Sequence, residues 1–129
     1  MRWLGVDPGE ARVGIAACDP EERVAVALEV VPASAAFPAI RAIAQREEIG
    51  GIVVGLPISL DGVERAPAEA ARKFGARLAK LGLPVEFEDE RMSTVEAGVG
   101  RRGEARDDIA AAIVLQRFLD RRRQSGGST

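Results

Sequence analysis

Arg2-Trp3-Leu4-Gly5-Val6-Asp7, then Pro8-Gly9, then Arg12-Val13-Gly14-Ile15-Ala16-Ala17-Cys18: two apolar runs hinged on a Pro-Gly turn open the chain, and their pairing decides the fold. The first run reads as a strand with Asp7 at its exit, because proline and glycine stop a ladder where the chain must turn. A third run, Val24 to Val31, follows a polar stretch of Asp19, Pro20, Glu21 and Glu22. Together the three runs predict an antiparallel meander. Downstream the apolar period changes. Phe37, Ile40, Ile43 and Ala44 recur at helical spacing within residues 37 to 48, before Gly50-Gly51, so a helix crosses over. Ile52-Val53-Val54, bounded by Gly55 and Pro57, reads as a buried parallel strand. Between Gly62 and Gly82 a second helix carries Ala71, Phe74, Leu78 and Leu81 on one stripe and Lys73, Arg77 and Lys80 on another. Pro84 to Glu88 is a brief strand, and Ser93-Thr94-Val95-Glu96 has the form of a capping box. A Gly- and Arg-rich loop spans residues 98 to 106, and a last helix begins near Asp107, apolar on every side from Ile109 to Leu115. The expected class is α/β: a five-stranded mixed sheet, three antiparallel strands plus two parallel, flanked by helices.

The 129 residues, 47% of them hydrophobic, suffice for one core. A single domain over residues 1–120 is expected, followed by a polar, disordered tail at 121–129 that begins Arg121-Arg122-Arg123. No run of about 18 apolar residues occurs, so no membrane span is expected. With one cysteine and no histidine, there is no internal disulfide and no zinc site of sulfur and nitrogen ligands, and a reducing cytoplasm fits. Histidine-based triads are excluded with it. Any catalyst must use carboxylates, Lys, Arg, hydroxyls or metal. The net charge of −2 leaves the partner open, because local charge decides nucleic-acid binding.

Three groups of acids stand at the ends of buried elements: Asp7, Asp89-Glu90 and Asp107-Asp108. Each has an ordinary reading alone. Asp7-Pro8-Gly9 is a turn sequence, Asp107 suits a helix N-terminus, and Asp89-Glu90-Arg91 suits a solvated loop. If they converge on one sheet edge, their mutual repulsion requires a cation or shared protons, and Mg2+ or Mn2+ meets that need with oxygen ligands alone. A one-residue change of strand exit or helix phase would exchange Asp89 with Glu90, or Asp107 with Asp108, so both choices stay open.

Four blocks carry a resemblance: Gly5-Val6-Asp7-Pro8-Gly9 with Val13-Gly14-Ile15-Ala16; Val53-Val54-Gly55-Leu56-Pro57 with Asp61-Gly62; Asp89-Glu90-Arg91 with Ser93-Thr94-Val95-Glu96-Ala97; and Asp107-Asp108-Ile109-Ala110-Ala111. In this order and spacing the chain resembles the YqgF (RuvX) family to about Asp120. The resemblance implies an RNase H-like fold related to Holliday-junction resolvases and a nuclease maturing the 5′ end of pre-16S ribosomal RNA. It also implies Mg2+ or Mn2+ dependence. On the matching positions, Asp7, Glu90 and Asp107 become catalytic metal ligands, with Asp89 and Asp108 as alternates. Two departures, Gly103-Glu104-Ala105-Arg106 before the last acid and Ser59 where the family commonly has Asn, bear on substrate contacts more than on metal.

Substrate is expected to meet Arg91, Arg101, Arg102 and Arg106, since neutralising phosphates supplies most nonspecific affinity. Trp3 and the four Phe residues read as core, so recognition of shape and phosphate in structured RNA or branched DNA fits better than base reading. A monomer or a homodimer is compatible with this, a two-fold dimer favouring DNA junctions. Two other classes compete. Asp7-x-Gly9 followed by Gly14 is similar to the phosphate loop of sugar kinases and actin-like ATPases, whose two-domain closure this length cannot supply. A noncatalytic nucleic-acid or ribosome-associated adaptor would leave the acids as a stability cost.

Overall fold

In the computed structural model, which describes residues 1–90 and 107–126 (side chains of 1–90 and 109–124), the meander forms as expected. Strands β1 (Trp3–Pro8), β2 (Arg12–Cys18) and β3 (Ala25–Pro32) pair antiparallel in turn. Asp19 shapes the second turn by accepting from the backbone N–H groups of Arg23 and Val24 at 2.7 and 2.8 Å. These backbone donors, that of Val24 foremost, hold its carboxyl below the usual aspartate range. A short 3-10 turn leads into helix α1 (Ala36–Arg46), which carries the chain across to β4 (Gly51–Leu56). Helix α2 (Ala66–Ala79) then returns it to β5 (Val85–Asp89). Both late strands run parallel to their neighbours, and the five-stranded order is β3-β2-β1-β4-β5.

Alternation along the strands divides the core. Leu4, Val6, Ile52, Val54 and Leu56 pack with Ile40, Ile43 and Leu78 of α1 and α2 on one face. Trp3, Ala16, Cys18 and Val53 pack on the other with Ala111, Val114, Leu115, Phe118 and Leu119 of α3 (Asp107–Gly126). Glycine lets this helix lie close. A Cβ on Gly5 would stand 2.7 Å from the Leu115 Cβ and 3.0 Å from the Ala111 carbonyl oxygen. Gln116 ties α3 to the meander, accepting from Ala25 N–H at 2.8 Å and donating to the Arg23 carbonyl at 2.9 Å.

The sequence places the end of the ordered chain too early. Residues 121–126, expected as a disordered tail, continue α3. Arg122 stacks over Trp3 and Phe118, 5.1 and 5.6 Å from the ring centroids, and pairs with Glu22 at 3.0 Å. Arg123 donates to the Glu22 carbonyl at 2.8 Å. Arginine stems cover apolar surface while their heads stay wet, so this run stays exposed, as read, yet is ordered as helix. Among the described residues no helix is long and apolar enough to cross a membrane. The expected capping box at Ser93 and the loop at 98–106 lie outside the described residues.

Candidate active site

The register of three parallel strands assembles the site. Trp3, Gly5 and Asp7 of β1 face α3, because Leu4 and Val6 face the opposite core. On β4 the same face carries Val53 and Gly55. Glu90 follows β5 directly, and its N–H donates to the Leu56 carbonyl at 3.2 Å, which extends the ladder by one step. Asp89 pairs in register with Leu56 and so belongs to the α1–α2 face. Glu90 therefore falls on the face of Asp7, with β4 between them.

Gly55 makes this meeting possible. A Cβ there would collide with the Glu90 carboxylate and stand 3.3 Å from the Val114 methyl. The missing side chain leaves a notch in which the Glu90 carboxyl reaches over β4 to hydrogen-bond that of Asp7. Glu90 is only 8% exposed. Burial first, then the charge of Asp7, the hydrogen bond with it and the charge of Asp89 push Glu90 up to about 10. Without a compensating cation, then, the pair keeps one proton at neutral pH, shared between the two carboxyls.

The third acid enters by way of the helix. Phe118 meets Trp3 edge-on at 4.7 Å, while Ala111 and Leu115 lie over Gly5. Helix α3 therefore runs antiparallel to β1, which directs its first turn, with Asp107 and Asp108, toward the end of β1 that holds Asp7. The side chains of residues 107 and 108 lie outside the description, as do all of Arg91, Arg101, Arg102 and Arg106. Among the described residues no group of three acid or thiol side chains is placed to hold a metal ion. What they contain is the Asp7–Glu90 pair beside a helix N-terminus, whose dipole favours negative charge.

Two features escape a reading of the sequence. Gly55 follows a β-branched run and looks like a strand terminator, yet β4 continues through it to Leu56. Glu88, only 6% exposed, shares the α3 face with Glu90 and is paired with Arg121. The two-residue spacing of Glu86, Glu88 and Glu90 is the available signal for a common face. Its partner was hidden in the segment read as a tail.

Comparison with known proteins bears on the family and the fold. The family model of RuvX, described as Holliday junction resolvase, matches residues 1–121. A protein of Anaeromyxobacter sp. (strain Fw109-5), named "Putative pre-16S rRNA nuclease", is 44% identical over 95% of this chain and 98% of its own length. One of the same name from Pelotomaculum thermopropionicum is 39% identical over 98% of this chain and 94% of its own. Among solved structures, RuvC of Thermus thermophilus, in complex with a Holliday junction substrate, superposes with a TM-score of 0.60 at 18% identity. That match covers 98% of this chain and 96% of the other, and the shared fold is RNase H-like. By sequence along nearly its whole length, and by fold, the chain belongs to the RuvX (YqgF) family.

Proposed function

We propose that this chain is a divalent-metal-dependent endonuclease hydrolysing phosphodiester bonds of structured nucleic acid, and that its substrate is precursor 16S ribosomal RNA cut near the 5′ end. The observation that carries the reading is the pair of buried Glu90 with half-buried Asp7 at the carboxyl ends of parallel strands, on the side toward which the first turn of α3 is directed. The names of the relatives support the substrate.

The residues fit a hard cation. The donors are oxygen only, the carboxyls cannot both ionise without positive charge beside them, and these are the terms on which Mg2+ or Mn2+ is bound. Asp7, Glu90 and Asp107 would hold it, with Asp108 the alternate to Asp107, while Asp89, turned to the other face, would stand outside the set. When bound, such a cation supplies water activation and stabilises charge developing on the phosphodiester. The chain does the rest. Glu90 gives up the proton it shares with Asp7, Gly55 keeps the approach to both carboxyls clear, and the N-terminus of α3 favours an anion there.

Cleavage of a labelled 16S precursor with Mg2+ or Mn2+, against a chelator control, tests this. Asp7→Asn is expected to cut at least about 100-fold more slowly, since even outer-shell partners of a metal site cost 10- to 100-fold. Equal cutting by wild type and variant would defeat the assignment. The family's description favours one alternative, a Holliday-junction resolvase. A four-way DNA junction run in parallel, cut faster than the precursor RNA, would select it.

A further inference from the structure

On the face of the sheet away from α3, a groove of about 450 Å³ begins at Pro8-Gly9, the turn that directly follows Asp7. Its floor is apolar, formed by Val13, Ala71 and Phe74, with Pro67 at the start of α2. Its volume falls within the range that holds a small organic ligand, about 300–1,000 Å³. Arg77 and Glu10 are the charged residues of its described lining. The Arg77 guanidinium lies 4.9 Å from the centroid of the Phe37 ring, and Arg41 lies over the same ring at 5.8 Å. Two cations thus share one aromatic ring. Among the described residues neither has an acidic partner, whereas Arg72 on the same helix is paired with Glu64 at 2.7 Å. Against Glu10, the acid in the groove's described lining, stand these two cations with no acidic partner of their own, which leaves the positive excess that an anion needs. The first turn of α2 adds to it, because its N-terminus has no side-chain cap and borders the groove.

We propose that this groove seats an unstacked nucleotide of the substrate strand, its base against Phe74, Pro67 and Pro8 and its backbone phosphates on Arg77 and Arg41. An apolar slot with cations at its mouth is the chemistry that holds single-stranded nucleic acid, which presents a flat base and a phosphate at each step. The slot begins at Pro8, the residue after Asp7, so a strand leaving it at that end meets the sheet edge around which the carboxyl pair stands on the other face. The inference deepens the nuclease reading and rests on it for the origin of the strand. It also adds a binding surface on the face opposite α3, carried by Arg77 of the basic stripe and by Arg41 of α1.

The test is binding without cleavage. Fluorescence anisotropy in chelator, with short single strands of RNA and of DNA and an abasic DNA strand of equal length, measures Kd over a salt series. The double variant Arg41→Gln/Arg77→Gln is expected to raise Kd at least about fivefold on both base-bearing strands, and to reduce the salt slope by about 1.4 for two lost phosphate contacts. Arg23→Gln/Arg46→Gln, which removes two cations paired with Glu21 and Glu47, is expected to leave Kd within twofold of wild type, on the order of surface screening alone. The abasic strand should bind more weakly than its base-bearing counterpart. Equal Kd for wild type and Arg41→Gln/Arg77→Gln, equal losses in both double variants, or abasic binding as tight as the intact strand each overturn the proposal. A preference for RNA over DNA would identify the 2′-hydroxyl as part of the ligand. Wild type that binds with this dependence but cuts nothing with metal would remove the nuclease reading and leave the groove standing; cleavage untouched by the double variant, with unchanged Kd, would do the reverse.

Discussion

At the scale of single residues, Glu90 carries the largest electrostatic demand. Its carboxyl has the ordinary value of 4.5 when unfolded and is pushed up to about 10 when folded, by burial and by Asp7. The folded state therefore holds a proton that the unfolded state releases across this window. Stability from that proton is complete below about pH 4.5 and drains away as pH rises toward 10. The slope is at most about 1.4 kcal/mol per pH unit for one proton. Denaturant unfolding of the chelated protein between pH 6 and 9 should show stability falling with pH, and Glu90→Gln, which keeps a donor toward Asp7 and cannot ionise, should flatten the dependence. A wild-type profile as flat as that of the variant would mean that the two carboxyls do not share a proton. What separates Asp89 from Glu90 is register, a quantity that sequence lacks: Asp89 pairs with Leu56 and leaves the face of Asp7, and the next residue returns to it.

At the scale of elements, α3 does more than cover the sheet. Its last turns bring Arg121 to Glu88, a carboxylate with a side chain 8% exposed, and Arg122 to Glu22. For Glu22, burial opposes ionisation, but Arg122 and the N-terminal ammonium outweigh it and hold its carboxyl low. Arg121→Ala leaves Glu88 buried without this partner, at a cost of about 1.5–3 kcal/mol, the range for a hydrogen bond to a charged group. Urea unfolding should show that loss, and adding Glu88→Gln should recover part of it by removing the stranded charge. Additive losses in the double variant would mean that the two side chains are not coupled. Periodicity made most of the elements legible. β2 spans Arg12–Cys18 as read, and β1 and β3 are each displaced by one residue, because alternating apolar side chains between turn residues leave little choice of frame. The tail was not legible. Its packing depends on Trp3, at the far end of the sequence, offering a ring to Arg122. The notch was equally hidden, since only the three-strand register shows that Gly55 lies under Glu90.

At the scale of the whole molecule, the site joins segments that touch only in the folded state: the end of β1, the end of β5 and the start of α3. A cation held there binds the native chain and not the unfolded one, so its binding free energy adds to folding. At a metal concentration 100 times Kd the gain is about 2.7 kcal/mol. In a chain of this size that raises Tm by on the order of 10 °C. The proton on Glu90 competes for the same oxygens. The metal-induced rise in Tm should therefore be larger at pH 8.5 than at pH 6, opposite in sign to the pH trend of the chelated protein, and each ion bound should release a proton to buffer. Differential scanning calorimetry with Mn2+ or Mg2+ at the two pH values reads the first, and titration calorimetry in buffers of different ionisation enthalpy reads the second. A Tm that ignores metal at both pH values would leave the paired carboxyls as a proton-sharing contact of the fold alone.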